Sequence, residues 1–155
     1  MPSLHLTSHL QVDPATFWQT AGTLDGVNAE LAPLVRMSCP AAFRHTPLAQ
    51  WPTGRVLFDS WILLGGVLPV DRHRFKLQQV QPGQGFEETS STWVHALWHH
   101  RRRTVATPQG CVVEDRLDIH SRVPGLAWLL WPAIRAVFAH RHRRLRRRWG
   151  GLPPV

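Results

Sequence analysis

The most constraining feature of the sequence is a series of short alternating segments that ends in one long helical segment. Alternating polarity predicts five strands, at residues 55–64, 70–80, 85–91, 92–105 and 111–121. Glycine and proline mark most of the connections, which are too short to hold crossover helices. We therefore expect an antiparallel sheet rather than parallel βαβ units.

The final segment, Gly125–Trp149, has helical periodicity, with Leu126, Leu130, Ile134 and Phe138 at steps of four. Gly150-Gly151 should end this helix. One helix cannot cover both faces of a large sheet, but a sheet that curls around a single helix buries its inner face. Such an arrangement tends to leave a cavity between the two.

The N-terminal part predicts one more strand and two short helices. Alternating leucines from Leu4 indicate the strand, and Asp13-Pro14 supplies an N-cap and a first helical residue. A second short helix or turn should follow at 25–31, then a strand at 34–37 and, at 38–54, a loop that contains a short structured piece. The predicted fold is α+β: one strand, two short helices, five or six strands and a long C-terminal helix, with residues 1–155 as one domain.

The charge of the chain is concentrated at its end. The apolar fraction of 43% allows a substantial core, and the formal net charge is +8. Lys76 is the only lysine, and six arginines lie between Arg141 and Arg148. The basic character therefore belongs to residues 140–149, the end of the last helix, and says little about the rest of the domain.

Cysteine usage and the N-terminus predict a cytoplasmic protein. Cys39 and Cys111 are far apart and show no metal-type spacing, which indicates a reducing compartment. The first residues lack the basic and apolar regions of a signal peptide, and the longest apolar stretch falls short of the roughly 20 residues of a membrane span. The ten histidines form neither HExxH nor any other metal motif, so we expect no metal and no cofactor.

Two stretches carry a family resemblance: Val12–Trp18, read Val-Asp-Pro-Ala-Thr-Phe-Trp, and the C-terminal stretch from Cys111 to Trp149. The second contains Val-Val-Glu-Asp-Arg-Leu-Asp-Ile, a Pro-Gly pair and the long helix. In this order they resemble the START-like helix-grip superfamily (SRPBCC), in its polyketide cyclase/dehydrase and lipid-transport branch. The resemblance implies a curved antiparallel sheet wrapped around a long C-terminal helix, with a hydrophobic ligand cavity. It does not fix a reaction.

We therefore expect the protein to bind, and to transport or sequester, a hydrophobic small molecule or lipid between sheet and helix. Large apolar side chains should line the cavity. The expected lining residues are Phe17, Trp18, Phe58, Trp61, Phe75, Trp93, Leu97, Leu117, Leu130, Ile134 and Phe138. Phe58 and Trp61 point to opposite faces of a regular strand, so only one of them should contact the ligand unless a bulge intervenes.

An enzyme is the alternative, namely a cyclase or dehydratase acting on a polyketide-like or aromatic substrate. A five-residue hairpin loop at 106–110 would place Arg101 opposite Asp115 and make His99 a diagonal neighbour of that carboxylate. His99, Asp115 and Arg101 could then act in acid–base catalysis and anion stabilisation. A two-residue loop at Pro108-Gln109 would instead place Asp115 on the face of His100. Without a catalytic role, these residues form an exposed, polar face of the sheet.

A third hypothesis concerns the Arg-rich helix end, which could contact an anionic membrane surface or a nucleic acid. Leu145 and Trp149 continue the apolar stripe through this segment, so the arginines could equally form the solvated face of a docked helix. No RNP, zinc-finger or helix-turn-helix pattern accompanies them, which makes a nucleic-acid partner the weaker expectation.

Overall fold

A computed structural model describes residues 1–152; the last three residues of the predicted domain, 153–155, lie outside the described residues. The strands are β1 (Ser3–Leu10), β2 (Val35–Met37), β3 (Val56–Leu64), β4 (Leu68–Gln81), β5 (Gly85–Thr92), β6 (His95–Thr107), β7 (Gly110–Ser121) and β8 (Gly151–Leu152). The helices are α1 (Pro14–Ala21), α2 (Leu24–Leu31), α3 (Ala41–Arg44) and α4 (Leu126–Trp149), with a 3₁₀ turn at Leu48–Gln50.

The eight strands form one antiparallel sheet in the order β2-β3-β4-β5-β6-β7-β1-β8. The sheet curves around α4, and the short helices α1 and α2 follow the first strand. The predicted helix-grip fold is confirmed. Its consequence for function is that the concave face of the sheet, α2 and α4 enclose a common interior.

The first helices begin where the sequence predicts them. The Asp13 carboxylate accepts a hydrogen bond from the Thr16 backbone N–H, and Pro14 occupies the first helical position. Thr23 caps α2 in the same way, through the backbone N–H of Gly26. These caps fix the tight α1–α2 corner that leads the chain from β1 over the open side of the sheet.

Helix α4 packs along β1 and buries Phe138, Arg141 and Leu145. Gly150 ends the helix with a φ of 71°, a conformation that glycine adopts without steric cost. The chain then forms β8, which pairs with the end of β1 through Leu10 and Gly151. This last strand was not predicted, because two residues carry no readable alternation.

The hairpin between β6 and β7 corrects one sequence prediction. Thr107 pairs with Gly110, so the loop has two residues, Pro108 and Gln109, instead of five. Arg102, and not Arg101, therefore lies opposite Asp115. The predicted pairing of His99 with Asp115 is wrong, because the one-residue change of register moves every side chain to the other face.

Candidate functional site

An open-mouthed cavity of about 340 Å³ lies between the sheet and the N-terminal half of α4. This volume falls within the range of roughly 300–1,000 Å³ typical of small-molecule sites. Apolar side chains from α2, the strands and α4 form most of its wall, among them Leu31, Ile62, Phe75, Trp98, Leu130 and Phe138. The wall of the cavity is therefore largely apolar.

One region of the wall is polar, which the sequence did not predict. Ionisable side chains from β4, β5, β6 and α4 reach the cavity there. They are Asp71, His73, Glu88, His95, His100 and Arg141. His73, Glu88, His95, His100 and Arg141 are each at most 5% exposed. A ligand in this cavity would therefore meet buried polar groups as well as hydrocarbon.

Asp115 is the centre of the buried network behind this wall. Its carboxylate accepts two hydrogen bonds from Arg102, Nε to Oδ1 at 2.9 Å and Nη2 to Oδ2 at 2.7 Å. The Nε2 atoms of His100 and His142 donate to the same two oxygens, each at 2.8 Å. Four donors saturate the carboxylate, so Asp115 orients both imidazole rings from a fully buried position.

The charge of Arg102 is shared by a second carboxylate. Its Nη1 lies 2.8 Å from Oε1 of Glu30, which also contacts the guanidinium of Arg141 at 3.3 Å. Glu30 comes from α2 and Arg141 from α4, so these ion pairs connect both helices to the sheet. Buried charges of this kind are stable only as a set, since removing one member leaves another unpaired.

A histidine–carboxylate pair lies at the cavity wall next to His100. The Nε2 atom of His73 donates to Oε1 of Glu88, and Nδ1 of His100 lies 3.8 Å from Oε2 of the same carboxylate. A path of ionisable groups therefore runs from His73 through Glu88 and His100 to Asp115, hydrogen-bonded except at the 3.8 Å step between Glu88 and His100. Such a path can hold or pass a proton at the cavity surface.

The protonation of these groups follows from their partners. Burial opposes the charged form of Asp115, but the charge and hydrogen bonds of Arg102 outweigh it and hold the pKa of Asp115 well below its usual range. Burial also opposes ionisation of Glu88, yet His73 and His100 lower the pKa of Glu88 far below its ordinary value. For His100, burial acts to lower the pKa, but the hydrogen bond to Asp115 and the nearby carboxylate of Glu88 reverse this and raise it.

His95 differs from the other histidines of the wall. Its Nδ1 atom lies 3.4 Å from the Thr92 hydroxyl, whose oxygen already accepts the backbone N–H groups of Val94 and His95. The hydroxyl proton therefore points to Nδ1, which places the ring proton on Nε2. Burial lowers the pKa of His95. Its Nε2 atom is buried and has no hydrogen-bond partner among residues 1–152.

The predicted lining residues divide into two groups. Phe75, Leu130, Ile134 and Phe138 line the cavity. The others lie elsewhere: Phe17, Trp18, Phe58 and Leu117 pack in the neighbouring core, Trp61 and Trp93 pack edge-to-face at 5.1 Å with Trp93 60% exposed, and Leu97 lies on the outer face of β6. Of the pair Phe58 and Trp61, Phe58 faces inwards and stacks on Phe75 at 5.5 Å.

The predicted catalytic residues are not brought together. His99 lies on the outer face of the sheet, where its Nε2 atom is 2.6 Å from Glu87. Arg101, the neighbour of buried Arg102, lies opposite Arg116 on that face. Asp115 alone is inside. The sequence did not show whether the hairpin loop has an odd or an even number of residues. A two-residue loop places Asp115 on the same face of the sheet as Trp98, His100 and Arg102.

The chain belongs to a family identified by one domain model, which matches residues 8–149 and is described as a domain of unknown function (DUF8410). A search of curated proteins finds no match. Within residues 1–152, no helix is both long and apolar enough to cross a membrane.

Solved structures with the same fold cover nearly the whole chain. Protein CV1439 from Chromobacterium violaceum matches with a TM-score of 0.67 at 10% identity, over 96% of this chain and 98% of that one. A START superfamily protein from Mycobacterium smegmatis matches with a TM-score of 0.60 at 10% identity, over 94% and 97%.

A third structure, DynU16, is described as a putative protein in the dynemicin biosynthetic locus. It has a TM-score of 0.60 at 12% identity, over 93% of this chain and 47% of that one. At these identities the likeness shows the fold alone. The family model identifies the chain as a DUF8410 family protein, and the order of strands and helices, together with these solved structures, shows that it has the START-like helix-grip fold.

Proposed function

We propose that this protein binds a hydrophobic small molecule or lipid in the cavity between the sheet and α4, and transports or sequesters it. The observation that carries this proposal is the cavity of about 340 Å³, with a wall that is mainly apolar. Burying apolar ligand surface there contributes about 25 cal/mol for each Å² removed from water. A ligand that fills the cavity therefore gains most of its affinity from the hydrocarbon wall.

The polar region of the wall narrows the class of ligand. His73, Glu88 and His100 are already paired with one another or with Asp115, so their desolvation does not depend on the ligand. His95 is the exception, because its Nε2 atom is buried in the wall and has no hydrogen-bond partner among residues 1–152. An apolar molecule that carries one or two polar groups therefore fits this surface better than a pure hydrocarbon, because it can supply that partner. We therefore expect an amphipathic ligand whose polar end lies beside β4 to β6.

Binding of a neutral fluorescent probe, N-phenyl-1-naphthylamine, tests the proposal. Ala133 lines the cavity on an exposed part of α4, whereas Ala136 is exposed on the same helix without lining it. Ala133→Trp should narrow the cavity and weaken probe binding at least tenfold, and Ala136→Trp should bind like the wild type. The proposal would be wrong if the wild-type protein did not bind the probe. It would also be wrong if both substitutions changed probe binding equally. Native mass spectrometry of the protein from its own host would then identify the chemical class of a retained ligand.

Acid–base catalysis is a second candidate, which the path from His73 to Asp115 favours. His100 lines the cavity and is oriented by a buried carboxylate, the arrangement that a general base or acid requires. We therefore propose His100, instead of His99, as the acid–base group of a cyclase or dehydratase. Asp115 and Arg102, instead of Arg101, would position it. A poly-β-ketone surrogate should be turned over by the wild type, and His100→Gln should lower kcat far more than it changes KM. Unchanged kcat in His100→Gln would eliminate this candidate.

A further inference from the structure

A second recess lies at the other end of α4, away from the ligand cavity. Its volume is about 300 Å³, and the last two turns of α4 form it together with α1 and α2. Three arginines of α4 line it: Arg144, Arg147 and Arg148. Thr20 of α1 and Trp149 of α4 also line this recess. The Arg-rich end of α4 therefore has arginines that line a recess as well as arginines that face only solvent.

The positive charge of this recess is uncompensated by the residues around it. Glu30 is the only carboxylate among the residues that line it, and the side chains of Arg102 and Arg141 contact that carboxylate. Within residues 1–152, no carboxylate oxygen lies within 4.0 Å of a nitrogen of Arg144, Arg147 or Arg148. Three guanidinium groups at one recess make it a favourable place for an anion.

Two of the three guanidinium groups are already oriented. The Nε atom of Arg144 donates to the backbone carbonyl of Ala29 at 3.1 Å, which leaves its terminal nitrogens free of that bond. The guanidinium of Arg148 lies 5.0 Å from the centre of the Trp149 ring, a cation–π contact. Guanidinium groups held in this way lose less side-chain entropy on binding, and their planar donor pairs match the oxygens of a phosphate group.

We propose that this recess binds a phosphate monoester, carried by a small metabolite or by a lipid headgroup, through Arg144, Arg147 and Arg148. The dianion of a monoester can accept hydrogen bonds from more than one guanidinium at the same time. This site is separate from the ligand cavity, so its function does not depend on the function proposed for that cavity. The sequence indicated only that the Arg-rich helix end could contact an anionic surface, whereas this proposal assigns the contact to one recess and three arginines.

Titration calorimetry with phenyl phosphate at about 0.15 M salt tests the site. Arg147→Gln and the double substitution Arg144→Gln/Arg147→Gln should weaken binding, the double at least tenfold. The matched control is Arg143→Gln, which removes the same charge from an exposed residue of the same helix that does not line the recess. We expect a smaller loss in this control than in Arg147→Gln, because the Arg143 side chain does not line the recess and exposed charges without direct contact are weakened by salt. Equal losses in Arg143→Gln and Arg147→Gln would show diffuse surface charge and overturn the proposal, as would the absence of wild-type binding.

Vesicles distinguish the two sources of the phosphate group. Phosphatidylcholine vesicles with phosphatidic acid present a monoester, and vesicles with the same molar fraction of phosphatidylserine present negative charge without one. Retention on phosphatidic acid alone, lost in Arg144→Gln/Arg147→Gln, supports a lipid headgroup. Binding of phenyl phosphate without retention on either vesicle supports a soluble metabolite. The defined site is overturned if the protein is retained equally on both vesicles and if Arg143→Gln reduces this retention as much as Arg147→Gln does.

Discussion

Arg102 and Asp115 face each other across β6 and β7 and form two parallel hydrogen bonds with no exposed surface on either side chain. Removing the guanidinium leaves two carboxylates, Asp115 and Glu30, without their main positive partner. We expect Arg102→Met to lower the free energy of unfolding by about 3–5 kcal/mol in urea titrations.

The neighbouring substitution Arg103→Met, on the exposed face, is the control and should stay within about 0.5 kcal/mol of the wild type. Because the two partners act on each other, Arg102→Met/Asp115→Leu should be less destabilised than the sum of its single substitutions. Strict additivity would contradict a coupled pair.

The titration of His100 should report its two carboxylate partners. Burial acts to lower the pKa of His100, but the hydrogen bond to Asp115 and the nearby carboxylate of Glu88 raise it above the ordinary value. Glu88→Gln removes one of these partners and should lower the His100 pKa, measured by NMR of the imidazole signals. Glu87→Gln, the adjacent carboxylate on the outer face, should leave this pKa unchanged. A His100 pKa that is the same in wild type and Glu88→Gln would contradict the proposed path of ionisable groups.

Acid should destabilise the protein partly through Glu88. Its pKa is lower in the folded chain than in the unfolded chain, where glutamate titrates near 4.3. The stabilisation from ionised Glu88 is therefore present above about pH 4 and is lost as the pH falls towards its folded pKa. The free energy of unfolding of Glu88→Gln should accordingly decline less steeply from pH 5 to pH 2. His100 has the opposite sign: its contribution is full below about pH 6.5 and is lost as the pH rises through its raised folded pKa.

Gly26 should be intolerant of alanine although it lies inside α2. In an isolated helix, Gly→Ala stabilises by about 1 kcal/mol. Here a Cβ atom would lie 1.8 Å from the backbone carbonyl oxygen of Thr20 in α1, a distance that forces the two helices apart. We expect Gly26→Ala to destabilise the protein by about 1–3 kcal/mol. Exposed Gln19→Ala in α1 should be nearly neutral, and a stabilised Gly26→Ala variant would contradict the tight α1–α2 corner.

The order of strands and helices was predictable because alternation, capping and turn residues are local signals. Asp13, Pro14 and Gly150 act within one helical turn, and each lies where the pattern indicates. The cavity wall was only partly predictable. Four of the proposed lining residues were identified, three of them on α4, where the apolar stripe has one interpretation.

The polar site was missed because its face of β6 carries residues that normally lie outside. His100, Arg102 and Thr104 are buried, and their neighbours His99, Arg101 and Arg103 are just as polar. Alternation of polarity therefore gave no orientation for this strand. The deciding partners, Glu30 and Asp115, come from distant parts of the sequence. Only the parity of the Pro108-Gln109 loop could have selected the face, and both parities were compatible with the sequence.

The position of β1 between β7 and β8 has a consequence for biosynthesis. Ser3 pairs with Asp118, and Leu10 pairs with both Cys111 and Gly151, so β1 has no partner until β7 has been translated. Contacts this distant in sequence slow folding, since a long loop must close before they form. At about 5–20 residues per second, the strand that carries Leu4, Leu6 and Leu10 stays unpaired for several seconds. The topology of the sheet therefore leaves an apolar, unpaired strand exposed during translation, a surface of the kind that chaperones protect.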